Sequence, residues 1–124
     1  MRLVPKLDTP PYNAHTTGSD ALWAGLPVLT CLGTTFPGRV GASLLHAVGL
    51  PELVAPTLEA YEQRAIELAS DPRQLGQIRE RLEHCRSTAP LFDAAGFTCD
   101  LESLYATMVD PAQSAFNATP QRVR

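Results

Sequence analysis

Residues 13–32 read NAHTTGSDALWAGLPVLTCL, and this stretch decides the fold class. Small and polar residues precede an apolar helical pattern that stops at Gly25, which favours a helix over about residues 17–24. Pro27 then opens VLTCL, an apolar run typical of a strand that is buried on both faces. A helix that alternates with buried strands predicts an α/β unit with a parallel sheet.

Further elements follow downstream. GTTFPG predicts a loop, RVGASLLHAVG predicts a helix that ends at Gly49, and PELVAP predicts a short strand over residues 53–55. Thr57 is expected to cap a third helix, Asp71-Pro72 to start a fourth, and a fifth to cover about residues 95–109. Each of these three helices has an apolar stripe. The stripes comprise Leu58, Tyr61, Ala65 and Leu68, then Leu75, Ile78 and Leu82, then Phe97, Leu101, Leu104, Tyr105 and Met108.

Two or three strands are fewer than an open sheet usually has. We therefore predict part of a larger doubly wound domain, a partial Rossmann-like lobe with a short parallel sheet and about five helices. Residues 1–12 form a proline-rich leader without a clear pattern. Residues 13–109 are the predicted Rossmann-like segment, and residues 110–124 are expected to be a flexible tail.

Composition excludes several classes of protein. The 124 residues are 44% hydrophobic with a net charge of −3, which is typical of a globular domain and offers nucleic acid no general basic surface. Three cysteines without a C-x-x-C spacing argue against a disulfide framework and a zinc site, and indicate a reducing, cytoplasmic location. Cys31 is expected to be a small buried apolar residue. No apolar run is long enough to span a membrane, and the first residues do not have the apolar core that a signal peptide requires.

The start of the first helix has the chemistry of an anion site. A helix N-terminus presents unpaired N–H groups and a partial positive charge. The Thr16 and Thr17 hydroxyls add donors, His15 can donate to a phosphate oxygen, and Gly18 permits a close approach to the backbone. Asp20 can accept two hydroxyl hydrogen bonds from a ribose. Together these residues suit a nucleotide diphosphate that carries a sugar.

An ordinary helix start remains an open alternative for the same residues. Thr16 or Thr17 is a good N-cap, and Asp20 in the first turn would suit the helix dipole or replace the acid of a capping box. The stretch also lacks the spacings of a P-loop and of a G-x-G-x-x-G fingerprint. Elsewhere, Arg39 is expected to form a structural salt bridge. His46 and His84 have no ligand spacing and are expected to be structural.

The longer stretch LDTPPYNAHTTGSDALWAGLPVLT resembles the C-terminal catalytic lobe of protein O-linked N-acetylglucosamine transferases, bacterial as well as animal. The likeness continues through a G-x-x-x-x-x-R-V spacing at residues 33–40, through GASLL, and more weakly to APLFDAAGFTCDLESLY. It covers residues 7 to about 109. The signature Asn-x-His-Thr-Thr-Gly/Ala-x-Asp-x-Leu-Trp-x-Gly carries the resemblance.

The resemblance implies a B-type glycosyltransferase that binds UDP-N-acetylglucosamine between two Rossmann-like lobes and transfers the sugar, with inversion, to Ser or Thr of proteins. It implies no metal and no cofactor beside the donor substrate. His15, Thr16 and Thr17 match the family's diphosphate-binding residues, and Asp20 matches its ribose-binding acid. Neither the residues nor the resemblance identify a catalytic residue within this chain.

The resemblance also sets expectations about what this chain lacks. The family usually has an apolar strand before LDT, and Pro5 leaves that first strand in doubt here because proline cannot donate to a ladder. The acceptor-side lobe, the lysine that meets the diphosphate and the residues that hold uracil have no counterpart here. We therefore expect a fragment, a truncated reading frame or a degenerate copy, inactive as a transferase on its own. The alternative is a non-catalytic remnant that serves as a weak nucleotide-binding or assembly module. Without a partner lobe, the stripe on the fifth helix predicts a homo-oligomer.

Overall fold

A computed structural model describes residues 4–109 of the chain. The elements are β1 (Lys6–Leu7), α1 (Thr16–Trp23), β2 (Val28–Cys31), α2 (Val40–Ala47), β3 (Val54–Ala55), α3 (Leu58–Ser70), α4 (Pro72–Cys85) and α5 (Ala94–Val109). The chain divides into two compact units, residues 1–92 and residues 93–124. The sheet and α1–α4 belong to the first unit, and α5 belongs to the second. The predicted tail, residues 110–124, lies outside the described residues.

The sheet is parallel, with the strand order β1-β2-β3. All four residues of the central strand β2 are buried, which confirms the strand expected in VLTCL. The first strand forms in spite of Pro5, but it is two residues long and lies at an edge. Its ladder needs no N–H from Pro5, because Lys6 donates to the Pro27 carbonyl at 2.8 Å and Asp8 to the Leu29 carbonyl at 2.9 Å.

Helices α1, α2 and α3 contact the central strand, and α4 packs against α3. Leucines dominate the core between them, and the buried stripe predicted for α4 is confirmed. The stripe predicted for α3 is only partly buried, since Leu68 is inside while Leu58, in the first turn, is exposed. The core residues are Leu22, Val28, Leu29, Leu45, Val48, Leu50, Leu53, Leu68, Ile78, Leu82 and Ala89.

Helix boundaries follow the local signals in the sequence. Gly25 and Gly49, just after α1 and α2, have φ angles of 77° and 74°, a left-handed conformation that glycine adopts at little cost. The Thr57 hydroxyl accepts from the Ala60 N–H and caps α3. Asp71 caps α4 by accepting from two N–H groups of its first turn. These four residues confirm the predicted C-terminal ends of α1 and α2 and the predicted starts of α3 and α4 to within one or two residues.

Helix α5 confirms the predicted fifth helix, but none of its side chains is buried. The larger apolar ones that are exposed are Phe97, Leu104, Tyr105, Met108 and Val109. Among residues 4–109, no helix is both long enough and apolar enough to cross a membrane.

Candidate functional site at the start of helix α1

Two loops meet at the carboxyl edge of the sheet. One runs from the end of β1 to α1, and the other from the end of β2 to α2. The Asn13 N–H donates to the Pro37 carbonyl at 3.0 Å, and Gly33 donates to the Gly38 carbonyl at 2.8 Å. A Cβ on Gly38 would lie 3.0 Å from the Pro11 carbonyl oxygen, so the two loops are closely packed. Ligands of open α/β sheets bind at this edge.

Helix α1 begins at this edge without a side-chain cap. Its N-cap residue is His15, and no side chain accepts a hydrogen bond at the cap. The cap predicted at Thr16 or Thr17 is therefore wrong. The helix starts earlier, because the His15 carbonyl already accepts from Gly18 and Ser19, both at 3.1 Å. Thr16 and Thr17 thus occupy the first turn, where N–H groups have no acceptor within the helix.

The site residues predicted from sequence lie together at the start of α1, except that Asp20 lies one turn further along the helix than predicted. Thr16, Thr17 and Asp20 are all exposed on α1. Asp20 belongs to the second turn, since the first contains no acidic residue, so its predicted place in a capping box is wrong. The ammonium group of Lys6 donates to the Thr17 carbonyl at 2.7 Å, which joins β1 to the same helix.

Gly18 is explained by packing between helices. It is buried, and a Cβ there would lie 3.1 Å from the Leu44 Cδ1 atom of α2. The sequence suggested that Gly18 admits a ligand to the backbone. The structure gives it the different task of allowing α1 and α2 to approach each other closely.

The His15 ring lies between two aromatic side chains. It stacks on Tyr12 with ring centroids 5.0 Å apart, and Phe36 meets it edge-on at 6.4 Å. Phe36 is 81% exposed. The Nε2 atom of His15 is buried and has no hydrogen-bond partner among the described residues. Such an atom is uncommon, because an unpaired buried polar group costs free energy.

Sequence reasoning missed a buried polar network below this surface. Asp8, directly after β1, is 3% exposed. Its carboxylate accepts from the Ala14 N–H at 2.6 Å, from the Thr9 N–H at 3.0 Å and from the Thr30 hydroxyl at 2.8 Å. A polar residue at the carboxyl end of a strand was the available signal, but nothing local indicated its partners.

Two more residues extend the network. The Tyr61 hydroxyl donates to the Asp8 carbonyl at 2.7 Å. Burial, with the negative charge of Asp8 and the Cys31 thiol as further causes, raises the pKa of Tyr61 above its usual value. The Asn13 side-chain oxygen accepts from the Gly41 N–H at 3.2 Å, while its Nδ2 atom is buried without a partner among residues 4–109.

Two residues outside the site were also singled out in the sequence. Cys31 is buried, as predicted, and burial followed by the charge of Glu59 raises the pKa of its thiol. The salt bridge predicted for Arg39 is wrong for the described part of the chain, where both ion pairs involve other residues. Arg39 is exposed, so water can solvate its charge.

Comparisons with known proteins identify relatives of this architecture. The model of glycosyl transferase family 41 matches residues 5–101. A UDP-N-acetylglucosamine–peptide N-acetylglucosaminyltransferase of Caenorhabditis elegans is 40% identical over 82% of this chain and 9% of its own length. A probable enzyme of the same description from Solanum lycopersicum, SPINDLY, is 43% identical over 82% of this chain and 11% of its own.

A solved structure agrees with these sequence matches. A mutant O-GlcNAc transferase of Thermobaculum terrenum superposes with a TM-score of 0.78 and 39% identity, over 84% of this chain and 20% of its own. The chain thus spans about a tenth of the length of the two relatives matched by sequence and a fifth of the solved one. The three-stranded sheet and five helices match a fragment of that larger fold.

Proposed function

This chain belongs to glycosyl transferase family 41, and on that premise we propose that it binds the UDP-N-acetylglucosamine donor of an inverting protein glycosyltransferase. The acceptors are Ser and Thr hydroxyls of proteins, by analogy with relatives whose names specify transfer to peptides. The free state of all three cysteines supports a cytoplasmic location. The observation that carries the proposal is the uncapped start of α1, with two exposed threonines at the carboxyl edge of a parallel sheet.

The diphosphate occupies the first turn of α1. A helix whose first N–H groups have no side-chain acceptor leaves donors and a partial positive charge for an anion. The Thr16 and Thr17 hydroxyls lie in that turn and add donors of adjustable direction. His15 completes this group as the N-cap residue, and a phosphate oxygen within reach of its ring would relieve a nitrogen that is otherwise unpaired.

The ribose lies further along the helix, beside Asp20. An exposed carboxylate in the second turn can accept from both ribose hydroxyls, once the diphosphate is anchored at the first turn. Helical geometry supports this order, since one turn advances about 5.4 Å along the axis. Asp20 therefore contributes to nucleotide recognition without competing for the donors that hold the phosphates.

In the transfer itself this segment stabilises the leaving group. The acceptor oxygen attacks the anomeric carbon, the bond from that carbon to the diphosphate oxygen breaks, and negative charge develops on UDP. Donors aimed at the diphosphate favour that state more than the bound donor substrate. The acceptor proton must go to a base, and we assign none of the described residues to that role. No metal is required if the helix start and its hydroxyls carry the charge.

Calorimetry with UDP tests the assignment. One lost charge-assisted hydrogen bond is worth about 1.5–3 kcal/mol, so Thr17→Ala and His15→Ala should each weaken binding about tenfold or more. Thr88→Ala and His84→Ala are matched controls at exposed positions on or after α4, and their affinity should stay within about twofold. Equal affinity in site variants and controls would reject the site. No binding by the unaltered chain would reject the function.

A second pair of titrations separates the two parts of the nucleotide. Asp20→Asn should weaken UDP binding and leave inorganic pyrophosphate unaffected, because pyrophosphate has no ribose. Thr17→Ala should weaken the binding of both UDP and pyrophosphate. If Asp20→Asn lost as much affinity for pyrophosphate as for UDP, the ribose assignment would be contradicted.

A further inference from the structure

The buried carboxylate of Asp8 lies where four elements meet. Asp8 follows β1, and its partner Thr30 belongs to β2. Ala14 leads into α1, and Gly41 lies in the first turn of α2. A Cβ on Gly41 would lie 2.5 Å from the Asp8 Oδ2 atom, so α2 begins in direct contact with the carboxylate. No ion pair within residues 4–109 includes Asp8, and hydrogen bonds stabilise its carboxylate.

The position of the donor Ala14 distinguishes Asp8 from an ordinary helix cap. An N-cap side chain accepts from the second or third residue of its helix and thereby consumes a donor of the first turn. Asp8 instead accepts from Ala14, which precedes the N-cap residue His15. It therefore anchors the chain just before α1 and leaves the N–H groups of Thr16 and Thr17 available.

The surroundings restrict movement of the carboxylate. The Tyr61 hydroxyl holds the Asp8 carbonyl, and the side chain of Asn13 holds the Gly41 N–H. Each contact joins residues at least 28 positions apart in the chain. A displacement of Asp8 would thus shift the entry into α1 and the start of α2 together.

We propose that Asp8 is a positioning residue for the phosphate-binding start of α1, which it holds through the Ala14 N–H while leaving the donors of the first turn free. This inference rests on the proposed function for its ligand. Asp8 does not touch the diphosphate and acts only through the backbone of residues 13–15.

Three variants of the full chain test the role, with UDP titrations and amide hydrogen exchange measured by NMR. Asp8→Ala removes the acceptor and should weaken UDP binding at least tenfold. Asp8→Asn keeps an oxygen for Ala14, and the Thr30 hydroxyl can turn to accept from the new amide, so its affinity should stay within threefold. Ile78→Ala, in the core of α4, is a destabilised control whose affinity should also stay within threefold.

The outcomes separate positioning from general destabilisation. Asp8→Ala binding within threefold of the unaltered chain overturns the proposal, as does a loss no larger than that of Ile78→Ala. If Asp8→Ala gives no folded spectrum, Asp8→Asn decides: binding within threefold supports positioning by the oxygen, and a tenfold loss overturns it.

Amide exchange keeps the proposal testable if the proposed function fails. Should the unaltered chain bind no UDP, exchange at Ala14 is measured without ligand. It should accelerate at least tenfold more in Asp8→Ala than in Ile78→Ala. An equal acceleration in the two variants overturns the role of Asp8 independently of any nucleotide.

Discussion

The guanidinium of Arg86 lies 5.4 Å from the centroid of the Trp23 ring and donates to the Trp23 carbonyl at 2.8 Å. Trp23 is the last residue of α1, and Arg86 is the C-cap residue of α4. Phe92 meets the same indole edge-on at 5.0 Å. One side chain thus fastens the end of α1 to the end of α4, while the opposite end of α1 presents the candidate anion site.

Removing this contact should lower stability without abolishing the fold. Arg86→Ala should decrease the free energy of unfolding by about 1 kcal/mol, since Trp23 is more than half exposed and solvent weakens the interaction. Arg86→Lys should lose about half as much, because an ammonium keeps the charge but not the planar stacking. Urea unfolding measures both. Arg73→Ala, at an exposed position of α4, is the control, and an equal loss there would contradict the specific contact.

The caps of α3 and α4 should differ in strength. Thr57 accepts one N–H, whereas Asp71 accepts from Arg73 and Gln74 at 3.0 and 3.1 Å. We expect Thr57→Ala to cost about 1 kcal/mol and Asp71→Ala to cost more, up to about 2 kcal/mol. Thermal melts compare them with Ser70→Ala at the exposed end of α3. A larger loss for Thr57→Ala would show that the number of accepted bonds does not govern these caps.

Burial should make Cys31 slow to react and should weaken the fold at alkaline pH. Burial raises the pKa of the Cys31 thiol and, with nearby charge, that of Tyr61. Both groups are neutral when protonated, so their stabilising contribution is complete below the unfolded-state pKa and is lost as the pH rises through the folded-state value. Stability should therefore fall above about pH 8.5, where an ordinary thiol ionises.

Mass spectrometry after brief alkylation tests this at pH 8. The exposed Cys99 should be modified first and the buried Cys31 last, and urea should remove the difference. For the pH dependence, Cys31→Ala with Tyr61→Phe should flatten the alkaline loss. An unchanged slope in that double variant would assign the loss to other groups.

The isolated chain should self-associate through α5. This helix exposes Phe97, Leu104, Tyr105 and Met108, and burial of apolar surface is worth about 25 cal/mol per Å². Several large side chains therefore offer several kcal/mol to a partner copy. Sedimentation equilibrium at micromolar concentration should detect a dimer or higher oligomer, which Phe97→Glu with Leu104→Glu should disrupt. Glu102→Gln is the control. A monomer with a cooperative melt at every concentration would contradict this expectation.

The 124-residue polypeptide should transfer no sugar to peptides on its own, because it spans only about a tenth of the length of two sequence relatives. Radiolabelled N-acetylglucosamine incorporated into peptide above the level of a His15→Ala variant would contradict this. Transfer that appears only when the remaining catalytic region of a family member is added would agree with a donor-binding role.

Sequence alone determined the helices and the central strand, because their causes are local. Gly25 and Gly49 adopt the conformations that end helices, Thr57 and Asp71 cap them, and VLTC is apolar throughout. It also predicted the residues of the candidate site, from a motif whose members lie within one helix and the residues just before it, and their roles stay a prediction.

Tertiary structure alone decided how that site is held. Strand β1 forms because the N–H groups of Lys6 and Asp8 donate to the carbonyls of Pro27 and Leu29, about twenty residues away in the chain. The carboxylate of Asp8 is buried because Thr30 and Ala14 satisfy it, and Gly18 is small because Leu44 of another helix lies against it. The periodicity of apolar residues predicts which side chains share a face of a helix, but not whether another element covers that face. Leu58 and most of the large apolar side chains of α5 are exposed although they belong to predicted apolar stripes. Contacts between distant residues depend on how the elements pack, and no local pattern encodes that.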